Sequence, residues 1–293
     1  MSISFDGRVA IVTGAGGGLG REHAMGLAKR GAKVVVNDLG EGAQKVADEI
    51  KAAGGEAIAV SCSVTDFDAV QAMVKTTMDT WGRVDILVNN AGILRDKSFS
   101  KMEMADFKLV VDVHLMGAAY CSKAVWDIMR TQKYGRIVNT TSSSGLYGNF
   151  GQSNYGAAKM ALVGLMQTLS IEGAKDNIKV NCLAPTAHTQ MTEGLMPQAV
   201  LDALKPAAVT PGLLYLVSED APTRVILNAG AGTFERAYVT MTKGVHIGTP
   251  DDAAEQVAAQ FEAISSRDDE VVPESGSEQG RNEVGQAMAA NRG

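Results

Sequence analysis

Short continuous apolar runs alternate with longer stretches of helical period along most of the chain. Arg8–Val12 is a β-branched run, followed by a glycine-rich turn and a helical stretch, Leu19–Arg30, that Gly31 stops. Lys33–Asn37 is a second strand; a helix over Gly42–Ala53 ends at Gly54-Gly55, and Ala57–Ser61 is a third strand. Asp66–Trp81 is helical, Val84–Val88 strand-like and Glu103–Met129 one long helical stretch. Arg136–Thr140 follows as a strand, Ser153–Gly173 as a helix and Ile178–Leu183 as a strand. A last helix near Ala208–Val217 precedes a short strand, Val225–Asn228.

Strands that are apolar throughout, with no polar alternation, are buried on both faces, and strands that alternate with helices build parallel units. The expected fold class is therefore α/β: a single Rossmann-like, doubly wound parallel sheet with helices on both faces. Right-handed crossovers leave such a sheet with a crevice at the carboxyl ends of its strands. After about Thr249 the pattern changes. Asp251–Ile264 suits one amphipathic helix, with Ala254, Val257, Ala258, Phe261 and Ile264 near one face. From Ser265 onward the chain is polar, glycine-containing and acidic, and reads as a flexible tail. The division expected is one domain over residues 1–249 and an extension over 250–293.

Composition narrows the function classes. Of 293 residues 45% are apolar and 20% charged, which supplies a sizeable core, while aromatics at 5% argue against stacking platforms for single-stranded nucleic acid. The net charge of −6 is local: residues 251–293 hold ten acidic and three basic residues, and residues 1–250 hold 23 acidic and 24 basic. A neutral body lacks the basic footprint of a duplex binder, so no nucleic-acid partner is expected. No run of about 18 apolar residues would span a membrane, and Met1–Asp6 does not open a signal peptide. Cys62, Cys121 and Cys182 are odd in number and widely spaced, and the four histidines are scattered. They point to a reducing compartment, the cytoplasm, and to no metal site. A small-molecule substrate is the expected partner.

The first strand runs into Thr13-Gly14-Ala15-Gly16-Gly17-Gly18-Leu19-Gly20 and then a helix. Glycines let a pyrophosphate approach the backbone, and the helix start aims free amides at the anion. Between the first strand and first helix of an alternating pattern, this loop indicates dinucleotide binding. Asp38 ends the second strand, 18 residues after Gly20. A carboxylate there accepts hydrogen bonds from ribose hydroxyls and repels a 2′-phosphate, which favours NAD over NADP.

A second group carries acid–base chemistry. Tyr155 and Lys159 are four residues apart at the start of a helix, hence one turn apart on one face. A phenol near pKa ~10 is a poor base at neutral pH, and a neighbouring ammonium favours its ionised form. Ser142 lies 13 residues before Tyr155, just past a strand and so at the carboxyl edge of the sheet. Its hydroxyl is placed to hold a substrate oxygen that gains or loses a proton.

The T-G-x-x-x-G-x-G loop, Ser142 with Tyr155-x-x-x-Lys159, Asn89-Asn90-Ala91-Gly92 after the fourth strand and Asn181–Pro185 after the sixth resemble the short-chain dehydrogenase/reductase family over roughly residues 5–235. Within it, Val36–Gly40, Asn89–Asp96, Tyr134–Val138 and Gly148–Gln152 are similar to the (3R)-hydroxyacyl-CoA dehydrogenase modules of multifunctional enzymes. The resemblance implies that Ser142, Tyr155 and Lys159 are catalytic, that Asp38 reads NAD, and that Gly14, Gly18, Leu19, Gly20, Asn90, Ala91 and Gly92 line the cofactor. It also implies a homodimer or homotetramer paired through the long helices. Hydroxyacyl-CoA and hydroxysteroid both remain open as substrates.

Three places depart from the family pattern. His114, in His114-Leu115-Met116-Gly117, stands where most members have an asparagine that supports a water relay to the lysine. It could hydrogen-bond a carbonyl and a water, or be a half-buried histidine with no relay role. Pro185-Thr186 replaces Pro-Gly, which leaves Thr189 as a contact for the nicotinamide carboxamide. Ser63-Val64 stands where the family often has Asp-Val beside the adenine.

Overall fold

The computed structural model describes residues 2–187 and 202–291. The Cα trace divides into two compact units, Met1–Arg236 and Ala237–Gly293. In the first, strands β1 (Val9–Thr13), β2 (Lys33–Asp38), β3 (Glu56–Ser61), β4 (Ile86–Asn89), β5 (Gly135–Thr140), β6 (Ile178–Thr186) and β7 (Ile226–Gly230) form a sheet in the order β3-β2-β1-β4-β5-β6-β7. Every one of these pairs is parallel. Chain order reverses between β1 and β4, so the crevice opens where those two strands end.

An eighth strand, β8 (Thr233–Ala237), extends the sheet beyond β7. Ala231 and Gly232 join the two, with φ of 50° and 78°. Two positive-φ residues in a two-residue link are the mark of a tight hairpin. The sequence pattern gives no sign of β8, because Thr233–Arg236 is exposed throughout and carries no apolar run.

The central strands are buried on both faces, as their continuous apolar character requires. Every residue of β1 and β5 is buried. Helices α1 (Gly18–Ala28), α2 (Gly42–Ala52) and α8 (Thr210–Leu216) cover one face, where Ala24, Leu27, Val46, Ile50 and Leu213 meet Val12, Val34, Val36 and Val88. The other face takes α3 (Phe67–Trp81), α5 (Gly117–Gln132) and α7 (Ser153–Gly173), with short helices α4 (Met104–Val111) and α6 (Ser143–Tyr147) lying near the crevice.

The helical stretch expected over Glu103–Met129 is present without a break from Met104 to Gln132, but it contains a turn the pattern does not show. Helix α4 ends at Val111, Asp112–Met116 is a π-helical turn, and α5 starts at Gly117. The extra residue of a π turn re-aims one side chain without ending the helix, which hydrophobic spacing alone does not reveal. The side chain concerned is His114.

Tyr134–Val138 serves the framework at the amino end of the sheet. Arg136 is 1% exposed, and its guanidinium donates to the carbonyls of Gly135, Asn177, Ser218 and Glu219 at 2.8–3.0 Å. The Tyr134 ring lies between Arg136 and Arg8, at 4.1 and 3.6 Å. Carbonyl dipoles and a ring face take the place of a counter-ion.

The second unit also departs from expectation. As a compact unit it spans Ala237–Gly293, beginning at the last residue of β8. Met241 and Val271 form an antiparallel bridge. The expected helix over Asp251–Ile264 is two, α9 (Ala253–Ala259) and α10 (Phe261–Ile264). The expected flexible tail contains helix α11 (Ser277–Ala290), whose Asn282 and Gln286 donate to the Lys243 carbonyl at 3.0 and 2.8 Å. Polar side chains hold α11, so a reading based on apolar residues overlooks it. Among the described residues no helix is long and apolar enough to cross a membrane.

Candidate active site

The glycine loop is held from behind by the end of β4. Asn90 Nδ2 donates to the carbonyls of Thr13 and Gly14, both at 3.0 Å. The amides of Asn90 and Ala91 both reach Thr13 Oγ1 at 3.1 Å. The approach is close enough to demand glycine at two positions. Gly14 has φ +61°, and a Cβ on Gly20 would lie 2.2 Å from the Gly14 carbonyl oxygen. Asn90, expected to line a cofactor, has its side-chain donors committed to shaping the loop.

In front of the loop the geometry is open. Helix α1 has Gly17 as its N-cap and no side-chain cap, so its first amides lack a side-chain partner. A Cβ at Gly17 would meet nothing within 4 Å. Gly18 is exposed beside it, while Leu19 is half-buried and packs on the core. Asp38 closes the adjacent side: one carboxylate oxygen accepts the Gly16 amide at 2.8 Å and the other the Leu39 amide at 2.7 Å. Uncapped amides as donors, an unobstructed approach and a carboxylate acceptor one strand away are the groups a dinucleotide needs.

Ser63 and Val64 follow β3. Ser63 Oγ shares a 2.8 Å hydrogen bond with Thr65 Oγ1, and Val64 is buried against Gly117, where a Cβ would lie 2.6 Å from Val64 Cγ2. Pro185 is half-buried near the end of β6. Thr189 lies outside the described residues.

Ser142, Tyr155 and Lys159 come together at the carboxyl end of β5. Ser142 is the N-cap of α6, its Oγ accepting the Ser144 amide at 3.2 Å, and its hydroxyl favours the ionised form of the Tyr155 phenol. Lys159 is 3% exposed; its Nζ donates to the Thr140 carbonyl at 2.5 Å and sits 5.4 Å from the centre of the Tyr155 ring. An ammonium has three hydrogens to give, so two remain for a ligand. Burial lowers the lysine to about 7. Burial also raises the phenol above its ordinary range, with the Ser142 hydrogen bond pulling it down and the Asp96 carboxylate adding to the rise. The net direction is opposite to the one Tyr155-x-x-x-Lys159 suggests, because desolvation acts on both partners.

The π turn places His114 beside this group. Its ring is 2% exposed and meets the Tyr155 ring edge-on, 5.1 Å between centres at 87°. Nε2 lies 2.8 Å from the Ile93 carbonyl oxygen and 3.1 Å from the Ile93 amide nitrogen, and the shorter contact assigns the ring proton to Nε2. Burial first, and the Lys159 charge second, lower its pKa to about 3, so it is a neutral imidazole. Gly92 is required next to it: a Cβ would fall 2.3 Å from His114 Cε1. His114 Nδ1, Asn89 Oδ1 and Thr140 Oγ1 are buried polar atoms without a protein partner. Their residues line a cavity of about 10 Å³ together with Lys159, close to the space one water occupies.

Sequence reasoning passes over Thr13, Asn154 and Asp96. Asn154 is fully buried, with its Nδ2 on the Arg95 carbonyl and its Oδ1 on the Tyr155 amide. A polar residue directly before the tyrosine is the available signal. Among the described residues no group of histidine, cysteine and acidic side chains could hold a metal ion.

Comparison with known proteins agrees with this architecture. Residues 8–199 match the family described as short chain dehydrogenase. The chain belongs to the short-chain dehydrogenase family. Within that family it is 46% identical over 289 residues to peroxisomal multifunctional enzyme A of Dictyostelium discoideum, covering 95% of this chain and 64% of that protein. The full-length peroxisomal multifunctional enzyme type 2 of Drosophila melanogaster superposes with TM-score 0.82 at 40% identity, covering 95% of this chain and 49% of that one. A 7α-hydroxysteroid dehydrogenase, solved with NADH and 7-oxo glycochenodeoxycholic acid, superposes with TM-score 0.73 at 32% identity, covering 78% of this chain and 95% of that one. The chain thus spans less than two thirds of the multifunctional relatives it matches.

Proposed function

We propose that the protein is an NAD-dependent oxidoreductase interconverting a secondary alcohol and a ketone, with (3R)-hydroxyacyl-CoA and 3-ketoacyl-CoA as its pair. The observation that carries this is the grouping of Tyr155, one turn from buried Lys159 and edge-on to His114, with Ser142 at the carboxyl end of β5, in a sheet whose α1 begins with uncapped amides. Gly14, Gly18, Leu19 and Gly20 would hold the pyrophosphate, Asp38 the adenosine ribose, Ser63 and Val64 the adenine, and Ala91, Gly92, Pro185 and Thr189 the nicotinamide side. When bound, NAD supplies the acceptor or donor of a hydride.

The chain's own residues do the rest. Ser142 holds the substrate oxygen, and Tyr155 takes its proton in oxidation and returns one in reduction. Lys159 directs its two spare donors to ribose hydroxyls, whose acceptance of hydrogen bonds favours the charged lysine and, through it, the phenolate. His114 acts beside them as a neutral ring whose free Nδ1 is an acceptor for a water in the cavity behind Lys159. The multifunctional relatives support the acyl-CoA assignment, and the hydroxysteroid dehydrogenase supports a steroid alcohol as the second reading. Cys62, Cys121 and Cys182 are free thiols, which supports a reducing compartment, the cytoplasm. Met160 and Ile171, exposed and apolar on α7, support pairing of copies through that helix.

NADH formation should be measured with (3R)- and (3S)-hydroxyacyl-CoA and with a 17β-hydroxysteroid. A higher kcat/KM for the steroid than for every acyl-CoA would transfer the assignment to steroids. Cofactor choice is tested at Asp38. Asp38→Asn keeps an acceptor for the Gly16 amide and removes the charge. It is expected to lower kcat/KM with NAD by roughly 10-fold or more and to narrow the gap to NADP. Better use of NADP than of NAD by the unaltered protein would overturn the cofactor assignment.

The crevice mouth offers a handle for CoA phosphates. Arg95 and Lys97 both lie near Asp106, at 3.8 and 3.9 Å, loose enough to leave each available to an anion. Arg95→Ala is expected to raise KM for acyl-CoA substrates and to spare a CoA-free alcohol, since a remote contact affects only substrates that carry the handle. An equal change for both kinds of substrate would remove Arg95 from that role.

A further inference from the structure

Asn154 stands directly before Tyr155 and is fully buried. Both ends of its amide are engaged: Oδ1 accepts the Tyr155 amide at 2.7 Å, and Nδ2 donates to the Arg95 carbonyl at 3.0 Å. The first contact completes a helix start. Tyr155 is the third residue of α7, a place where a backbone amide has no carbonyl one turn back. Gln152, the N-cap, makes no side-chain cap bond, so Asn154 supplies the acceptor that an N-cap side chain ordinarily gives.

The second contact holds the segment after β4. That segment is tied at alternate residues: the Ile93 carbonyl to His114 Nε2 at 2.8 Å, the Arg95 carbonyl to Asn154 at 3.0 Å, and the Lys97 amide to the Gly151 carbonyl at 2.9 Å. The middle tie comes from a side chain of the helix that carries Tyr155. Gln152 Nε2 also reaches Asp96 Oδ2, at 2.7 Å, but between exposed side chains where water can replace either partner. At Asn154 burial shuts water out, so losing either bond leaves a backbone group unsatisfied. The place demands an acceptor and a donor on one short side chain. Asparagine has both; ionised aspartate has the acceptor without the donor, and leucine has neither.

We propose that Asn154 is a positioning residue that couples Tyr155 to the loop carrying Arg95. One buried amide fixes the backbone under the phenol and also seats the segment, 59 residues earlier in the chain, that presents Arg95 at the crevice mouth. It acts through Tyr155 and Arg95, not on the reacting atoms. The two contacts therefore govern different kinetic quantities. Alignment of the phenol sets turnover with any alcohol, and the seat of Arg95 sets KM for substrates that carry CoA. This kinetic half rests on Tyr155 as the acid–base group and on Arg95 as the handle for CoA phosphates.

Two variants separate the contacts. Asn154→Leu removes both. Asn154→Asp, ionised at about pH 8, keeps an acceptor for the Tyr155 amide at the helix start and removes the donor to Arg95. Amide hydrogen exchange at Tyr155 and Lys97 reads each contact without substrate. Asn154→Asp is expected to speed exchange at Lys97 by about fivefold or more, the worth of one net hydrogen bond, with Tyr155 still protected. Asn154→Leu is expected to speed both. Rates with (3R)-hydroxybutyryl-CoA and with ethyl (3R)-hydroxybutyrate, which lacks CoA, read the consequence. Asn154→Leu is expected to lose about tenfold or more in kcat with both substrates. Asn154→Asp is expected to lose less in kcat and to raise KM by about two- to fivefold, the range of an exposed ion pair, for the thioester and not for the ester. Wild-type exchange at Lys97 in Asn154→Asp overturns the proposal by itself, even if Asn154→Leu does not fold. A KM rise shared by thioester and ester overturns the link to Arg95, and full kcat in Asn154→Leu overturns the link to Tyr155. An unaltered protein that oxidises the ester and not the thioester rejects the acyl-CoA reading instead, and the exchange and kcat readings still decide the role of Asn154.

Discussion

Tyr155→Phe is expected to lower kcat by roughly 10²–10⁴-fold, the span of general acid–base contributions, and to leave NADH binding nearly intact. The reasoning starts from what the substitution preserves. The ring keeps its edge-on contact with His114 and its place one turn from Lys159. The glycine loop, Asp38 and Asn90 hold one another through hydrogen bonds that do not involve the phenol. Only the hydroxyl is lost, and with it the proton the reaction exchanges. Steady-state rates with a fluorescence titration of NADH measure both halves. A variant retaining more than about a tenth of the rate would take Tyr155 out of the acid–base role.

Much of this site is legible in the sequence because the chemistry needs short, local spacings. Gly14, Gly20 and Asp38 sit where a strand, a turn and a helix must bring them. Tyr155 and Lys159 are one turn apart in any helix. What is not legible depends on geometry that spacing does not encode. His114 stands in a run whose apolar period continues through it, so nothing marks the π turn that swings the ring to Ile93. Asn90 is named by its motif, but the motif does not show that its amide donors hold Thr13 and Gly14. Asp96 and Gln152 are 56 residues apart, and only the folded crevice joins them. Likewise β8 and α11 carry mostly exposed side chains, so burial patterning cannot announce them. The upward shift of Tyr155 belongs to the same class, since desolvation is a property of the packed site and not of a motif.

Lys159 provides the second large effect, with opposite signs in activity and stability. Lys159→Met retains a long unbranched side chain and removes the ammonium. Turnover is expected to fall by about 10²-fold or more, because the phenolate loses its charged neighbour. The folded apo protein, however, should become more stable at mildly acidic pH. The lysine is 3% exposed and rests its ammonium on the Thr140 carbonyl, so its charged form is held at a desolvation cost. Burial lowers its pKa from the ordinary 10.5 of a lysine to about 7 in the fold. Between those values the unfolded chain keeps a proton that the folded chain has shed, so wild-type stability rises with pH across that window. Below the folded value the penalty is fully present; above the unfolded value neither state is charged and it vanishes. The variant's advantage should therefore be greatest near pH ~6 and should shrink steadily toward alkaline pH. Loss of the Thr140 hydrogen bond, about 1 kcal/mol, subtracts from the gain without changing its pH dependence. Thermal midpoints of the apo proteins measured across this range test the argument. A gain in Tm of about 2 °C or more on the acid side, fading as pH rises, is the expected pattern. A variant less stable than wild type at every pH would mean that the lysine's contacts outweigh its desolvation. If the pattern holds, the site keeps a strained buried charge that the fold alone would discard, retained for the proton it helps Tyr155 to move.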